Sequence, residues 1–262
     1  MGQAKEFLFL SSFGITDLDI ASLLAKSHEQ GVSVHVALDA KERNILPKNI
    51  TLYPHKKSSL MHRKILLIDK DLLLLGSTNI TPSAFHLHKN NLISLYSPSL
   101  VKAVLEEKIW QSNNITYYPL PTHKKEALLT LLALLQNAKK RIYVAQYTFT
   151  HPSITEELIK AHERGVLVEI FLDRKQTKSA SRKSKTLLLE KGVPVFVNIG
   201  PGLLHHKCAL IDDTFVTGSA NWTKAGFEKN EEYLLFLKEP PPKQFEKILT
   251  FFHSCKKFSS VS

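Results

Sequence analysis

The sequence predicts an α/β protein whose fold is written twice in tandem, and three observations carry that reading. A strand–helix–strand pattern occurs in both halves, a hairpin with the pattern His-x-Lys-x4-Asp follows it in both, and Gly-Ser-x-Asn follows the hairpin in both. A repeat of this length settles the architecture before any single element does.

The elements follow in order. Lys5 to Leu10 is an apolar strand, Ile15 to Gln30 has helical periodicity, and Gly31 to Asp39 is a second strand. The second half repeats this with Lys140 to Ala145, Ile154 to Arg164 and Gly165 to Asp173. Glycine after each helix suits its C-terminal end, and a βαβ unit implies parallel strands with a right-handed crossover. His62 to Asp69 leads to Gly76-Ser-Thr-Asn79, and His205 to Asp212 leads to Gly218-Ser-Ala-Asn221. Each reads as an apolar strand, a polar turn and a returning strand. Lys89-Asn90-Asn91 and Lys229-Asn230-Glu231 then open further strands, an alignment that sets Leu92 opposite Glu232. Helices are expected over Pro98 to Gln111 and Pro241 to Ser254, with proline near the first position.

The copies lie 134 residues apart at Gly31/Gly165 and 143 apart at His62/His205, which places an insertion of nine residues in Asp173 to Lys185. From Arg174 to Lys185 it carries six cations, Arg174, Lys175, Lys178, Arg182, Lys183 and Lys185, and no acid, and it reads as a loop lining the substrate groove. Tyr117 to Thr122 reads as the connection between halves. The expected organisation is a first repeat over 1–118, a linker over 119–122 and a second repeat over 123–262. A helix over His123 to Lys139 precedes the second repeat; no counterpart precedes Lys5, so the first half is expected to lack it or to begin late.

Composition bounds the function. With 43% hydrophobic and 23% charged residues, the chain is neither disordered nor fibrous. Lysine and arginine number 35 against 24 acids, a net charge of +11 that draws in nucleic acid, anionic lipid or phosphorylated metabolites. Two cysteines, Cys208 and Cys255, make no disulfide framework and no CxxC zinc site, which points to a reducing, cytoplasmic setting. The longest apolar run, around Leu128 to Leu135, falls well short of the roughly 18 residues of a membrane span. Phe7 to Leu10 is too short for a signal-peptide core, and Glu6 stands where a myristoylation motif wants Ser or Thr.

In a strand, residues two apart share a face, so His62 projects with Lys64 and His205 with Lys207, while Arg63 and His206 point the other way. An imidazole beside an ammonium suits an anion. Two such pairs meeting across a pseudo-twofold axis would enclose a phosphodiester from both sides. One neutral imidazole attacks phosphorus and becomes a phosphohistidine; the other protonates the leaving oxygen and then activates water. Lys64 and Lys207 would neutralise the non-bridging oxygens. Ser77, Asn79, Ser219 and Asn221 could add neutral hydrogen bonds. This scheme needs no cofactor and no metal, and both motifs in one chain let a monomer suffice.

The paired His-Lys-Asp motifs, each followed by Gly-Ser-x-Asn, resemble the phospholipase D superfamily over about Lys5 to Ser254. The second half, with His205-His-Lys207, Gly218 to Thr223 and Asn230-Glu-Glu232, resembles the compact bacterial endonucleases and the mitochondrial cardiolipin hydrolase-like branch. The resemblance implies an αβαβα sandwich for each half, both motifs meeting at the interface, and metal-independent phosphodiester cleavage. It puts the catalytic pair on His62 and His205, the phosphate-binding lysines on Lys64 and Lys207, and hairpin-fixing aspartates on Asp69 and Asp212. Glu232 takes the place of a carboxylate that orients a motif histidine. With Leu92 set opposite it, the two histidines are expected to be inequivalent.

The substrate is read as nucleic acid, on the compact size, the charge and the basic segment. Phospholipid such as phosphatidylcholine or cardiolipin is the alternative, and an inactive module binding nucleic acid or membrane is a third reading. Phe251 and Phe252 are expected on the core face of the last helix, and Phe258 stands near a chain end where it could touch a membrane.

Overall fold

The duplicated pattern folds as two copies of one topology in the computed structural model, which describes residues 1–2 and 4–261. The first copy runs β1 (Phe7–Ser12), α1 (Leu18–Glu29), β2 (Ser33–Asp39), β3 (Thr51–His55), β4 (Ile65–Ile68), β5 (Leu72–Gly76), α2 (Pro82–His86), β6 (Leu92–Tyr96) and α3 (Pro98–Leu105). After β7 (Trp110–Gln111) and β8 (Ile115–Leu120) come α4 (Lys124–Asn137), β9 (Arg141–Gln146), α5 (Pro152–Glu163) and β10 (Leu167–Leu172). Then follow α6 (Arg174–Thr177), α7 (Arg182–Glu190), β11 (Val195–Asn198), β12 (Lys207–Ile211), β13 (Thr214–Gly218), α8 (Lys224–Glu228), β14 (Glu232–Lys238), α9 (Pro242–Lys257) and β15 (Ser259–Val261).

One sheet has the order β3-β2-β1-β4-β5-β6, and the other contains the same arrangement as β11-β10-β9-β12-β13-β14, extended by β15 at one edge and β8 and β7 at the other. The βαβ strands pair in parallel, β1 with β2 and β9 with β10, and both hairpins pair antiparallel. Asp69 and Asp212 sit in the hairpin turns at φ 53° and 49°. Each carboxylate accepts three successive backbone N–H groups: Lys5, Glu6 and Phe7 for Asp69, and Lys139, Lys140 and Arg141 for Asp212. A short polar side chain both tolerates the left-handed turn and satisfies the N–H groups at the start of the neighbouring strand.

Three expectations change. The segment read as a linker is strand and turn, since β8 pairs with β14 from Glu232↔Leu120 to Leu237↔Ile115 and so belongs to the second sheet. The helix at Pro98 stops at Leu105, because Glu107 turns left-handed (φ 53°) and Lys108 N–H closes on Ala103 O at 2.9 Å; Trp110–Gln111 is strand. The basic insertion is helical rather than a loop, with Arg174, Lys175 and Lys178 on α6 or just after it and Arg182, Lys183 and Lys185 opening α7.

The halves also differ in cover. In the second, Ala127, Leu131 and Leu135 recur every four residues on α4 and are fully buried against Leu158, Phe227, Leu234 and Phe236. In the first, the corresponding sheet face carries an apolar cavity of about 360 Å³ whose wall includes Leu10, Ile20, Leu66, Leu74, Ile80 and Leu92.

Candidate active site

Both motif strands begin where the two sheets meet. His62 N–H donates to Glu231 O (3.0 Å), and His205 N–H donates to Lys89 O (2.9 Å), so each histidine is tied by its backbone to the opposite half. The side chains repeat the exchange. His62 Nδ1 meets Glu232 Oε1 at 2.7 Å, and His205 Nδ1 meets Asn90 Oδ1 at 2.9 Å. The residue facing the first half's side of this arrangement is therefore Asn90, not Leu92, which lies exposed on β6. Ser77 and Ser219 set the register: Asn90 and Glu232 each stand thirteen residues beyond them. Likewise Asn91 N–H donates to Ser77 Oγ (3.1 Å) as Tyr233 N–H does to Ser219 Oγ (3.1 Å).

Asn90 is held in one orientation. Its Nδ2 donates to Ala84 O (3.0 Å), and its Oδ1 accepts from Ser77 Oγ (3.0 Å). With the amide fixed this way its oxygen faces His205, so Nδ1 of that ring carries the proton. Nδ1 is engaged in both rings, which leaves Nε2 of each to meet a substrate.

The lysines lie beside them. Lys64 Nζ donates to His62 O (2.7 Å) and Lys207 Nζ to His205 O (2.8 Å). All four motif side chains are buried, and both lysine charges act on both histidines. Burial, then the lysines, pushes both imidazoles well below their ordinary range. Burial lowers Lys64 to about 7 and Lys207 well below its usual value, with the neighbouring ammonium adding to the latter. Burial raises Glu232 to about 8 against the pull of Lys64. What remains is a cleft with two desolvated lysines that have no ion-pair partner among the described residues and whose charged form calls for an anion. A phosphodiester would supply it.

Other motif residues act at one remove. Ser77 Oγ donates to Asn90 Oδ1, and Ser219 Oγ accepts from the N–H of Tyr233, the residue after Glu232. Asn221 Oδ1 accepts from Thr148 N–H (3.4 Å), whereas Asn79 Oδ1 is buried without a partner. Arg63 and His206 face away, as strand alternation requires. Arg63 bridges Glu107 and Glu231 at 2.8 Å each, and His206 packs on Phe251 with ring centroids 4.4 Å apart. Burial takes His206 to about 3. Of the six cations on the insertion, Lys175 is the one whose charge reaches His88 at the cleft; the others lie along α6 and α7, exposed except for half-buried Lys185.

Sequence reasoning missed two matched pairs. Asp39 Oδ2 accepts from Met61 N–H and Asp173 Oδ2 from Leu204 N–H, both at 3.0 Å, fixing the residue before each histidine. Phe13 lies edge-on to His62 with centroids 5.7 Å apart, and Tyr147 is tilted against His205 at 4.9 Å. Lys207 Nζ also lies 5.3 Å from the Tyr147 ring centroid. Each pair is separated by the same 134 residues as Gly31 and Gly165, which was the signal available.

A family model described as "Cardiolipin synthase, PLD-like domain" matches residues 1–110 and 131–255. The chain belongs to the phospholipase D superfamily. Among curated relatives, it is 36% identical to a mitochondrial cardiolipin hydrolase of Xenopus tropicalis over 45% of this chain and 55% of that one. It is 35% identical to a phospholipase D of Rickettsia typhi over 40% and 52%. It thus spans about half the length of the curated relatives it matches. Among solved structures, Nuc from Salmonella typhimurium, a phospholipase D family member, is 28% identical with a TM-score of 0.52, over 56% of this chain and 97% of that one. A phosphatidylserine synthase of Haemophilus influenzae shares the fold across 99% of this chain and 83% of its own, with a TM-score of 0.77 at 13% identity. The tandem phospholipase D-like fold is therefore present across both halves.

Proposed function

We propose that this chain hydrolyses phosphodiesters through a covalent phosphohistidine, with His62 as nucleophile and His205 as general acid and base. The observation that carries the reading is the crossed pairing of the two imidazoles, one with a carboxylate and one with an amide. Attack by His62 Nε2 on phosphorus leaves its ring cationic, and Glu232 on Nδ1 stabilises that charge. As the P–O bond to the leaving alcohol breaks, His205, which enters this step as the imidazolium with a proton on each nitrogen, gives the alcohol its Nε2 proton and keeps the one on Nδ1. The same Nε2 then takes a proton from water, whose oxygen attacks phosphorus and frees His62. Water is consumed, and an alcohol and a phosphomonoester leave. Lys64 and Lys207 neutralise the non-bridging oxygens throughout.

For the substrate, the reading is a phospholipid headgroup diester, supported by the relatives named cardiolipin hydrolase and phospholipase D. Nucleic acid is the second reading, favoured by the cations on α6 and α7. The test is release of alcohol from soluble bis(4-nitrophenyl) phosphate, short-chain phosphatidylcholine and single-stranded DNA in the presence of EDTA. Turnover of the soluble diester that disappears in both His62→Ala and His205→Ala supports the reaction. Absence of turnover in the wild type, or undiminished turnover in either variant, overturns it.

A further inference from the structure

The rims of the cleft are chemically unlike, and the difference is not a residue of the duplication. Beside His205, Leu87 is 49% exposed, Ile199 55% and Phe258 55%, with Pro201 also exposed between them. These come from three separated segments: the end of α2, the loop after β11 and the end of α9. Lys89 joins them. Its backbone brackets the residues leading into the motif, donating to Leu203 O (2.8 Å) and accepting from His205 N–H (2.9 Å). Its ammonium reaches Asn198 Oδ1 (3.0 Å) and lies 4.6 Å from the Phe258 ring centroid. Ile199 N–H donates to Phe258 O (3.0 Å), and Gly202 packs so closely on Leu87 O that a Cβ there would come within 1.9 Å. The three segments that carry the four apolar side chains are therefore tied together beside the strand entry to His205.

The pseudo-equivalent positions at the other rim carry the opposite chemistry. By the spacing that relates β3 to β11, Ile199 and Pro201 correspond to Lys56 and Ser58; by that relating Ser77 to Ser219, Leu87 corresponds to Lys229. Lys57, between them, pairs with Glu231 at 3.2 Å. Lys256 and Lys257 flank Phe258 on the apolar side.

We propose that the cluster of Leu87, Ile199, Pro201 and Phe258 is a docking surface for an anionic phospholipid bilayer, which seats the His205 side of the cleft on the membrane that holds its substrate. This extends the reading of the site as a phosphodiesterase and rests on it. Aliphatic and aromatic tips surrounding an ammonium fit the boundary between acyl chains and headgroups: the tips leave water, and the lysines meet lipid phosphate. Leucine, isoleucine and proline side chains offer a nucleic-acid strand neither cation nor stacking face, so the cluster selects lipid over a polynucleotide. Among the described residues no helix is long and apolar enough to cross a membrane, so contact of this kind is how those residues would reach a bilayer.

The experiment is flotation of the full chain with vesicles of phosphatidylcholine containing 30% phosphatidylglycerol (a probe composition of roughly the charge that recruits basic surfaces). It compares the wild type with Leu87→Ser/Ile199→Ser/Phe258→Ser. The expected result is at least a tenfold lower vesicle partition for the triple variant, with hydrolysis of soluble bis(4-nitrophenyl) phosphate within twofold of wild type. In a second arm, Ile199→Trp should blue-shift and be quenched by brominated lipid. Equal partition of the two proteins, an unquenched Trp, or loss of single-stranded DNA binding on the triple substitution overturns the docking surface. Failure of the soluble assay in the wild type overturns the phosphodiesterase reading instead, so the two failures are separable.

Discussion

His62 and His205 lie at the same point of the same topology, yet one leans on a buried carboxylate and the other on a fixed amide. Both partners arrive from the opposite half, thirteen residues beyond a serine that positions them. The duplicated scaffold thus delivers two imidazoles, each held at Nδ1, and in the proposed reaction the difference between their Nδ1 partners divides their labour. In that reaction a carboxylate would stabilise the cation formed on phosphorylation of His62. A neutral amide orients His205 without making it more basic, so it parts more readily with its proton.

The comparison can be broken most forcefully at the imidazoles themselves. His62→Ala and His205→Ala should each lower kcat on an unactivated diester by about 10⁴-fold or more, the scale seen when a catalytic unit loses one member. Equal bursts of 4-nitrophenolate from the two variants would break the division of labour, because only the His205 variant should still complete the first step.

Lys64→Met and Lys207→Met come next, with losses of about 10²–10³-fold in kcat for removing one group that stabilises transition-state charge. The same lysines give the empty site a pH dependence. Lys64 is depressed to about 7, and a bound diester would raise it again, so binding takes up a proton above that pH. KM should rise by up to about tenfold per pH unit beyond pH 7, measured from initial rates. A KM flat to pH 9 would contradict the lysine's role.

Glu232→Gln should cost about a hundredfold in kcat while leaving the fold intact, read by rate and by circular dichroism. Asn90→Asp is the gentlest change. It gives His205 a carboxylate like its counterpart's, and should move the alkaline limb of the kcat profile up by about one pH unit. If the limb stays where it is, Asn90 does not set the basicity of His205.

Much of this was legible in the residues. Alternation along a strand put His62 with Lys64 and His205 with Lys207, and sent Arg63 and His206 to the other face, where they lie. The aspartates of the hairpins were legible through the family resemblance, and the structure supplies the reason, a left-handed turn and three capped N–H groups at each. The partner of His205 was misread because Lys89-Asn90 resembles Lys229-Asn230 two residues out of register. Contacts place His88 opposite Asn230 instead: Leu203 N–H donates to His88 Nδ1 (3.3 Å), as Leu60 N–H does to Asn230 Oδ1 (3.2 Å). The supposed linker was hidden by its prolines. Pro119 is accommodated in β8 because β7 pairs only with Thr116 and Tyr117, which leaves that edge free beyond them. Of the contrasting rims only Phe258 was singled out, since Leu87, Ile199 and Phe258 are far apart in sequence and come together only in the folded chain.

The most direct measurement is a rapid-quench reaction of the His205→Ala variant with a diester bearing ³²P and a 4-nitrophenyl leaving group. The activated phenolate needs no proton to depart, whereas water attack on the intermediate lacks its base. A burst of about one nitrophenolate per chain, with the label on His62, is the expected result for a single nucleophile. Label on any other residue, or steady turnover with no labelled protein, would contradict the assignment of covalent chemistry to the carboxylate-paired imidazole.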